Sequence, residues 1–223
     1  MIKSAEEFKS VVNTLCLDLA GANDHFELFR KLNRAREEEF ERALSQSQTF
    51  WFLTLRAHLE TAVFRLGRAY DQNPNNLGLK GFLEIVKAPP DFLKPTEFYR
   101  LDPVRLESER EWVSRDTNRL VRHLMKWRHK VYAHRDVQVT VSGDLARSYP
   151  ITFDEVGELL RRGFDIVNHY NGVFLGAHFS RQILALDDYS KLLKTIEADL
   201  AAREARLEEL RRAVLAEQEN SQT

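Results

Sequence analysis

Scarcity bounds this chain before any motif does. Of its 223 residues only one is a cysteine, Cys16, so an intrachain disulfide is excluded and a reducing interior is the natural setting. Nine glycines and six prolines are few for the length, which leaves long stretches free to form helices. No apolar run approaches the ~20 residues of a membrane span, and MIKSAEEFKS lacks the apolar centre of a signal peptide, so a cytoplasmic protein without a membrane segment is expected. Nothing matches GxxxxGK[ST] or GxGxxG, which removes support for nucleotide hydrolysis, and neither HExxH nor a cysteine cluster suggests a metal. The net charge is −1, so any attraction for a polyanion must be local.

What is present is helical period. Ser4 and Glu7 have capping-box spacing, and Phe8, Val11, Val12, Leu15 and Leu19 follow at steps of three and four until Gly21, where the first helix is expected to end. From Asp24 to about Asp71 the pattern continues through Phe26, Phe29, Leu32, Phe40, Leu44, Trp51, Leu55, Leu59, Val63 and Leu66. The polar SQSQT at 45–49 predicts two helices or one bent helix there. NPNNLG at 73–78 is a loop, residues 79–87 are a short helix, and the prolines of APPDFLKPTEFYRLDP exclude regular structure. A further helix is expected from about Val104 into the stretch KWRHKVYAHRD. VQVTV at 137–141 alternates, which suggests a short hairpin or extended excursion near 137–153. Thr152 and Glu155 open another helix through Phe174, and Leu192 to Val214 line one face of a last one, with Glu and Arg dense on the other. The fold class is therefore all-α, with a helical bundle over 1–185 and a C-terminal amphipathic helix or short coiled coil over 186–223.

Charge is unevenly spread. Between Asp116 and Asp136 there is no acid, while Arg119, Arg122, Lys126, Arg128, Lys130 and Arg135 are all basic. Within that span lies Arg128-His129-Lys130-Val131-Tyr132-Ala133-His134. Basic side chains at a helix end suit the helix dipole and need no further role. They also suit RNA cleavage. RNA carries its own nucleophile, the 2′-hydroxyl, so its cleavage requires a base, an acid for the leaving 5′-oxygen and a cation on the phosphoryl oxygens. Histidine titrates in the range for base or acid, and the planar fork of arginine matches a phosphate. Six residues of ideal helix turn by about 600°, which leaves Arg128 and His134 some 120° apart. Convergence on one phosphate needs a loosened helix end near Ala133 or a second copy facing the first. One motif per chain, asked for both an acid and a base, points to a symmetric homodimer.

The segment resembles the Arg-x(4–6)-His motif of the HEPN superfamily, in which the residue after the arginine is usually polar, a position held here by His129. LETAVFRLGRAYDQNPNNLGLKGFLEIV, followed much later by RHKVYAHRD, is similar to the abortive-infection (Abi, type U) branch, over roughly residues 10–180. The resemblance implies a dimerising helical bundle with metal-independent endoribonuclease activity. It implies Arg128 and His134 as catalytic residues, His129 as polar auxiliary, and no cofactor. Many HEPN domains are inactive or serve as partners of a nucleotidyltransferase, so the family also implies an antitoxin protein as a partner.

Around that core, Lys126, Lys130 and Arg135 fit phosphate contacts and equally a solvated basic face. Tyr132 fits a base-stacking contact, about 1–3 kcal/mol per base, and equally a dimer seam. Glu60, on the same early helix as Arg65, Arg68 and Asp71, is a candidate to orient Arg128 or His134, or to pair with Arg56 or Arg65. His123, His129 and His134 do not share a helical face, so no metal is expected. His25, His58, His169 and His178 read as surface or core residues, and Cys16 as buried. Three functions fit: an RNase acting as toxin or antiviral effector, a silent helical domain that binds a protein, and an RNA binder without turnover.

Overall fold

The computed structural model describes residues 2–97, 100–129, 145–181 and 187–220, and among them every regular element is a helix. They are α1 (Ala5–Glu38), α2 (Glu41–Ser45), α3 (Gln48–Ala69), α4 (Leu79–Lys87), α5 (Pro103–Val113), α6 (Arg119–Trp127), α7 (Leu145–Ser148), α8 (Phe153–Leu175) and α9 (Asp188–Asn220). None is long and apolar enough to cross a membrane. The chain divides into two compact units, each assembled from two separate stretches: Met1–Phe26 with His58–Gln182, and Glu27–Ala57 with Ile183–Thr223.

The first unit is built around α8. Its start is fixed by reciprocal bonds, the Glu155 N–H donating to Thr152 Oγ1 and the Thr152 N–H to the Glu155 carboxylate, and Gly176 ends it in the left-handed region. Leu160, Phe164, Val167 and Tyr170 recur at helical spacing and are buried. A run of aromatic contacts ties them to the other helices: Phe174 meets Phe8 of α1 edge-on at 5.5 Å, Phe8 stacks on Phe82 of α4 at 5.8 Å, and Phe82 meets Tyr170 at 6.1 Å. Across the same core the Tyr70 hydroxyl donates to the Leu159 carbonyl at 2.7 Å.

Two helix ends differ from the sequence expectation. Gly21 does not end α1, which continues to Glu38. A side chain there would meet the Arg65 guanidinium at 2.5 Å, so this glycine makes room for a neighbour rather than a turn. The expected helix from Val104 into the basic motif is broken at Ser114–Asn118. Gln72 donates to the Val113 carbonyl, the Thr117 hydroxyl to the Glu111 carbonyl, and Asn118 Nδ2 to the Trp112 carbonyl, satisfying the end of α5. Asn118 then caps α6 by accepting from the Leu120 N–H at 2.9 Å. Of the excursion expected near 137–153, residues 137–144 lie outside the described residues, and Leu145–Ser148 form one helical turn.

In the second unit α9 packs on α2, with Leu44 and Leu193 buried, the Ala43 N–H donating to the Glu197 carboxylate at 2.8 Å, and Arg42 paired to Glu204 at 2.7 Å.

Because Phe82 is fully buried and joins α1 to α8 through its ring contacts, Phe82→Ala is expected to lower unfolding free energy by about 3–5 kcal/mol. Urea unfolding measures it; a loss under about 1 kcal/mol would contradict this account of the core.

Candidate functional site

The basic motif begins where α6 changes pitch. After Trp127, Arg128 and His129 continue the helix as a wider π turn, a form often found at functional sites. Arg128 is largely buried, its side chain 18% exposed, and it points at the end of α3. Nη1 donates to the Gly67 carbonyl at 3.2 Å and to Asp71 Oδ2 at 2.9 Å. The stem lies against α3 where a side chain is missing: a Cβ on Gly67 would stand 2.8 Å from Arg128 Cδ and 3.3 Å from its Cβ and Cγ. Only glycine leaves that passage open without displacing the arginine.

Asp71 is itself held. The Asn73 N–H donates to Oδ1 at 2.9 Å and Asn76 Nδ2 to Oδ2 at 3.0 Å, so the NPNN loop serves to fix this carboxylate. Burial opposes its ionisation, but the bonds from Asn73, Asn76 and Arg128 outweigh burial and hold the carboxyl below its ordinary value. Among the described residues Nη1 carries both of Arg128's bonds, and Nε and Nη2 carry none. The guanidinium is therefore held in one orientation, and its planar fork has the shape that matches the oxygens of a phosphate.

The other sequence candidates fall in different places. His129 is exposed. Lys126 lies about 200° around the helix from Arg128 and sits 5.8 Å from the centre of the Tyr149 ring, beside His123, whose Nδ1 donates to the Pro150 carbonyl at 2.6 Å. Lys130, Tyr132, His134 and Arg135 lie outside the described residues. The carboxylate facing Arg128 is Asp71, just past the end of α3, and not Glu60 within that helix. Arg68 pairs with the buried Asp18 at 3.2 Å. His25 and His58 share a hydrogen bond between Nδ1 atoms at 2.8 Å, which requires one N–H and one lone pair. Burial first, then the neighbouring Arg65 for His25 and the His25 charge for His58, lowers the pKa of both and favours their neutral forms. Cys16 is buried, and burial raises its thiol to about 12.

Asp71 titrates lower in the folded chain than in the unfolded one, so its stabilisation is present above the ordinary value of 3.8 and is lost as pH falls through the lower folded value. Wild type should accordingly lose more stability than Asp71→Asn when urea midpoints are followed from neutral pH into that acid range. Parallel curves for the two proteins would show that Asp71 is not the held carboxylate the geometry describes.

No curated protein and no solved structure matches the chain. A family profile does. The AbiU2 profile of the HEPN domains matches residues 5–213, which takes in Gly67, Asp71 and the whole of the basic motif. With helices as the regular elements of its described residues and an Arg-x5-His spacing in its sequence, the chain belongs to the AbiU2 family of HEPN domains, an abortive-infection group.

Proposed function

We propose that the protein is a metal-independent endoribonuclease that acts in the cytoplasm as a toxin or antiviral effector. The observation that supports the reading best is the held guanidinium of Arg128, whose Nη1 is tied to Asp71 and Gly67. A cation fixed in this way costs no reorganisation when negative charge develops on a phosphoryl group. Asp71 offsets part of that charge, and in exchange it sets the orientation.

In the proposed reaction, a histidine removes the proton of the 2′-hydroxyl, and the oxygen attacks the adjacent phosphorus. The bond from phosphorus to the 5′-oxygen breaks, and a second histidine protonates the departing oxygen. The products are a 2′,3′-cyclic phosphate and a free 5′-hydroxyl. His134 supplies one of these roles, and His134 of a second copy in a homodimer supplies the other. Arg128 holds the non-bridging oxygens, His129 tunes or positions the pair, and Lys126, Lys130, Tyr132 and Arg135 contribute to RNA binding. No metal ion enters the scheme, because the nucleophile belongs to the RNA.

The ion pair itself favours a second reading. An arginine that is 18% exposed against an aspartate that is 12% exposed also serves as a latch between α6 and α3. A silent HEPN domain that binds a protein, such as a nucleotidyltransferase antitoxin, would keep that latch without cleaving RNA.

Labelled RNA incubated with the protein in EDTA separates the two. The nuclease predicts cleavage that EDTA leaves unchanged and ends bearing 2′,3′-cyclic phosphate. His134→Ala should lower the rate by about 10²–10⁴-fold. Arg128→Ala should lower it by about 10²–10³-fold, with only partial recovery in Arg128→Lys, which lacks the fork. His129→Ala should be milder. Persistence of cleavage in His134→Ala, or a requirement for added Mg²⁺, contradicts the proposal. Absence of cleavage with a stable protein complex supports the latch.

A further inference from the structure

The second unit carries a helix that is longer than its own unit can cover. Leu193, Ile196, Leu200, Arg203, Leu207, Leu210 and Val214 of α9 follow one another at alternating steps of three and four, the spacing of a coiled-coil seam. Leu193 is fully buried, and Ile196 and Leu200 are half-buried, where α9 lies on α2. The contact ends near the Arg42–Glu204 pair. From Ala201 onward every described side chain of α9 is exposed, with Leu207, Leu210 and Val214 each more than half open to solvent. About 24 Å of helix extends past Glu204, and a helix in water draws most of its stability from packing its apolar face. The same seam that is closed at one end is thus open at the other.

Charge selects the occupant. With Leu207 and Val214 at the first apolar position of the heptad and Leu210 at the second, Glu204 and Arg211 flank the seam on one side, and Asp199, Arg206 and Ala213 on the other. A parallel pairing of two copies would set Asp199 against the partner's Glu204 and Arg206 against the partner's Arg211, like charges in both places. An antiparallel pairing that layers Leu207 on the partner's Leu210 sets Glu204 against the partner's Arg211 twice and Arg206 against the partner's Ala213. Arg203 then falls beside the partner's Val214, where its stem packs and its head stays with Asp199, 2.8 Å away. The like charges disfavour the parallel alignment, and the opposite charges favour the antiparallel one, in which Glu204 shares its carboxylate between its own Arg42 and the partner's Arg211.

We propose that the free half of α9 is a self-association surface, occupied by the same segment of a second copy running antiparallel. This proposal uses residues of the second unit alone and does not rest on the nuclease reading. Should the motif pair two chains as well, two different two-fold contacts per chain would build a closed tetramer or an open filament.

Sedimentation of the full chain at micromolar concentration tests the surface. Leu207→Glu/Leu210→Glu, placed at exposed positions, should leave the circular dichroism of the folded protein in place and halve the assembled mass. Arg211→Glu gives the opposite sign for the two alignments, weakening association if the helices run antiparallel and strengthening it if they run parallel. A spin label on Gln218→Cys, with buried Cys16 unlabelled, should report a separation of about 28 Å for antiparallel helices and about 10 Å for parallel ones. A wild-type monomer, an unchanged mass in the double variant, stronger association in Arg211→Glu, or the short label distance would each overturn the proposal.

Discussion

A single ion pair carries the account of the first unit. Arg128 leaves α6 at its widened turn and reaches the end of α3, where Asp71 binds it at 2.9 Å. The pair depends on an empty position, since the stem passes where Gly67 has no side chain. It depends also on a turn, since Asn73 and Asn76 hold the carboxylate that holds the arginine. A loop that looks like a plain connection between two helices thus sets the direction of a guanidinium. The cost of burying each charge is met by its partner and by neutral donors, and without either partner the other would be left underpaired.

Electrostatics explains why such a pair suits a phosphate site as well as a latch. An arginine already bonded on one edge attracts an anion less strongly than a free one. It also loses less conformational freedom when the anion arrives, because its rotamer is fixed beforehand. In the proposed reaction, charge developing on a phosphoryl group would meet a guanidinium whose orientation is already set. The exposed His129 next in the chain adds a titratable group at the edge of the same turn.

Most helices were legible in the sequence because apolar residues recur along them and their caps are local. Thr152 with Glu155 announces α8, and NPNNLG announces the stop after α3. The break between α5 and α6 was missed because Leu106, Val113, Leu120 and Leu124 stay in step across it; the cap residue Asn118 was the one available signal. Gly21 was misread because a glycine at a turn and a glycine beneath a neighbouring side chain look alike in one dimension. The seat of Arg128 was the least legible feature. Arg128 itself stands in a motif, but Gly67 and Asp71 lie 61 and 57 positions away, and no local spacing connects them to it. Asp71 was visible only as one of several charges on the early helix, and Glu60 was the carboxylate that sequence reasoning offered first. The passage of the chain twice through the second unit was equally hidden, since the period runs through Phe26 and Glu27 without a mark.

In the proposed reaction, Asp71 acts through Arg128 on a phosphate. A double-mutant cycle on the rate of RNA cleavage in EDTA measures that coupling directly. Asp71→Asn should slow wild type and should cost almost nothing further once Arg128→Ala is present. Full additivity of the two substitutions, or an Asp71→Asn protein that cleaves at the wild-type rate, would contradict it.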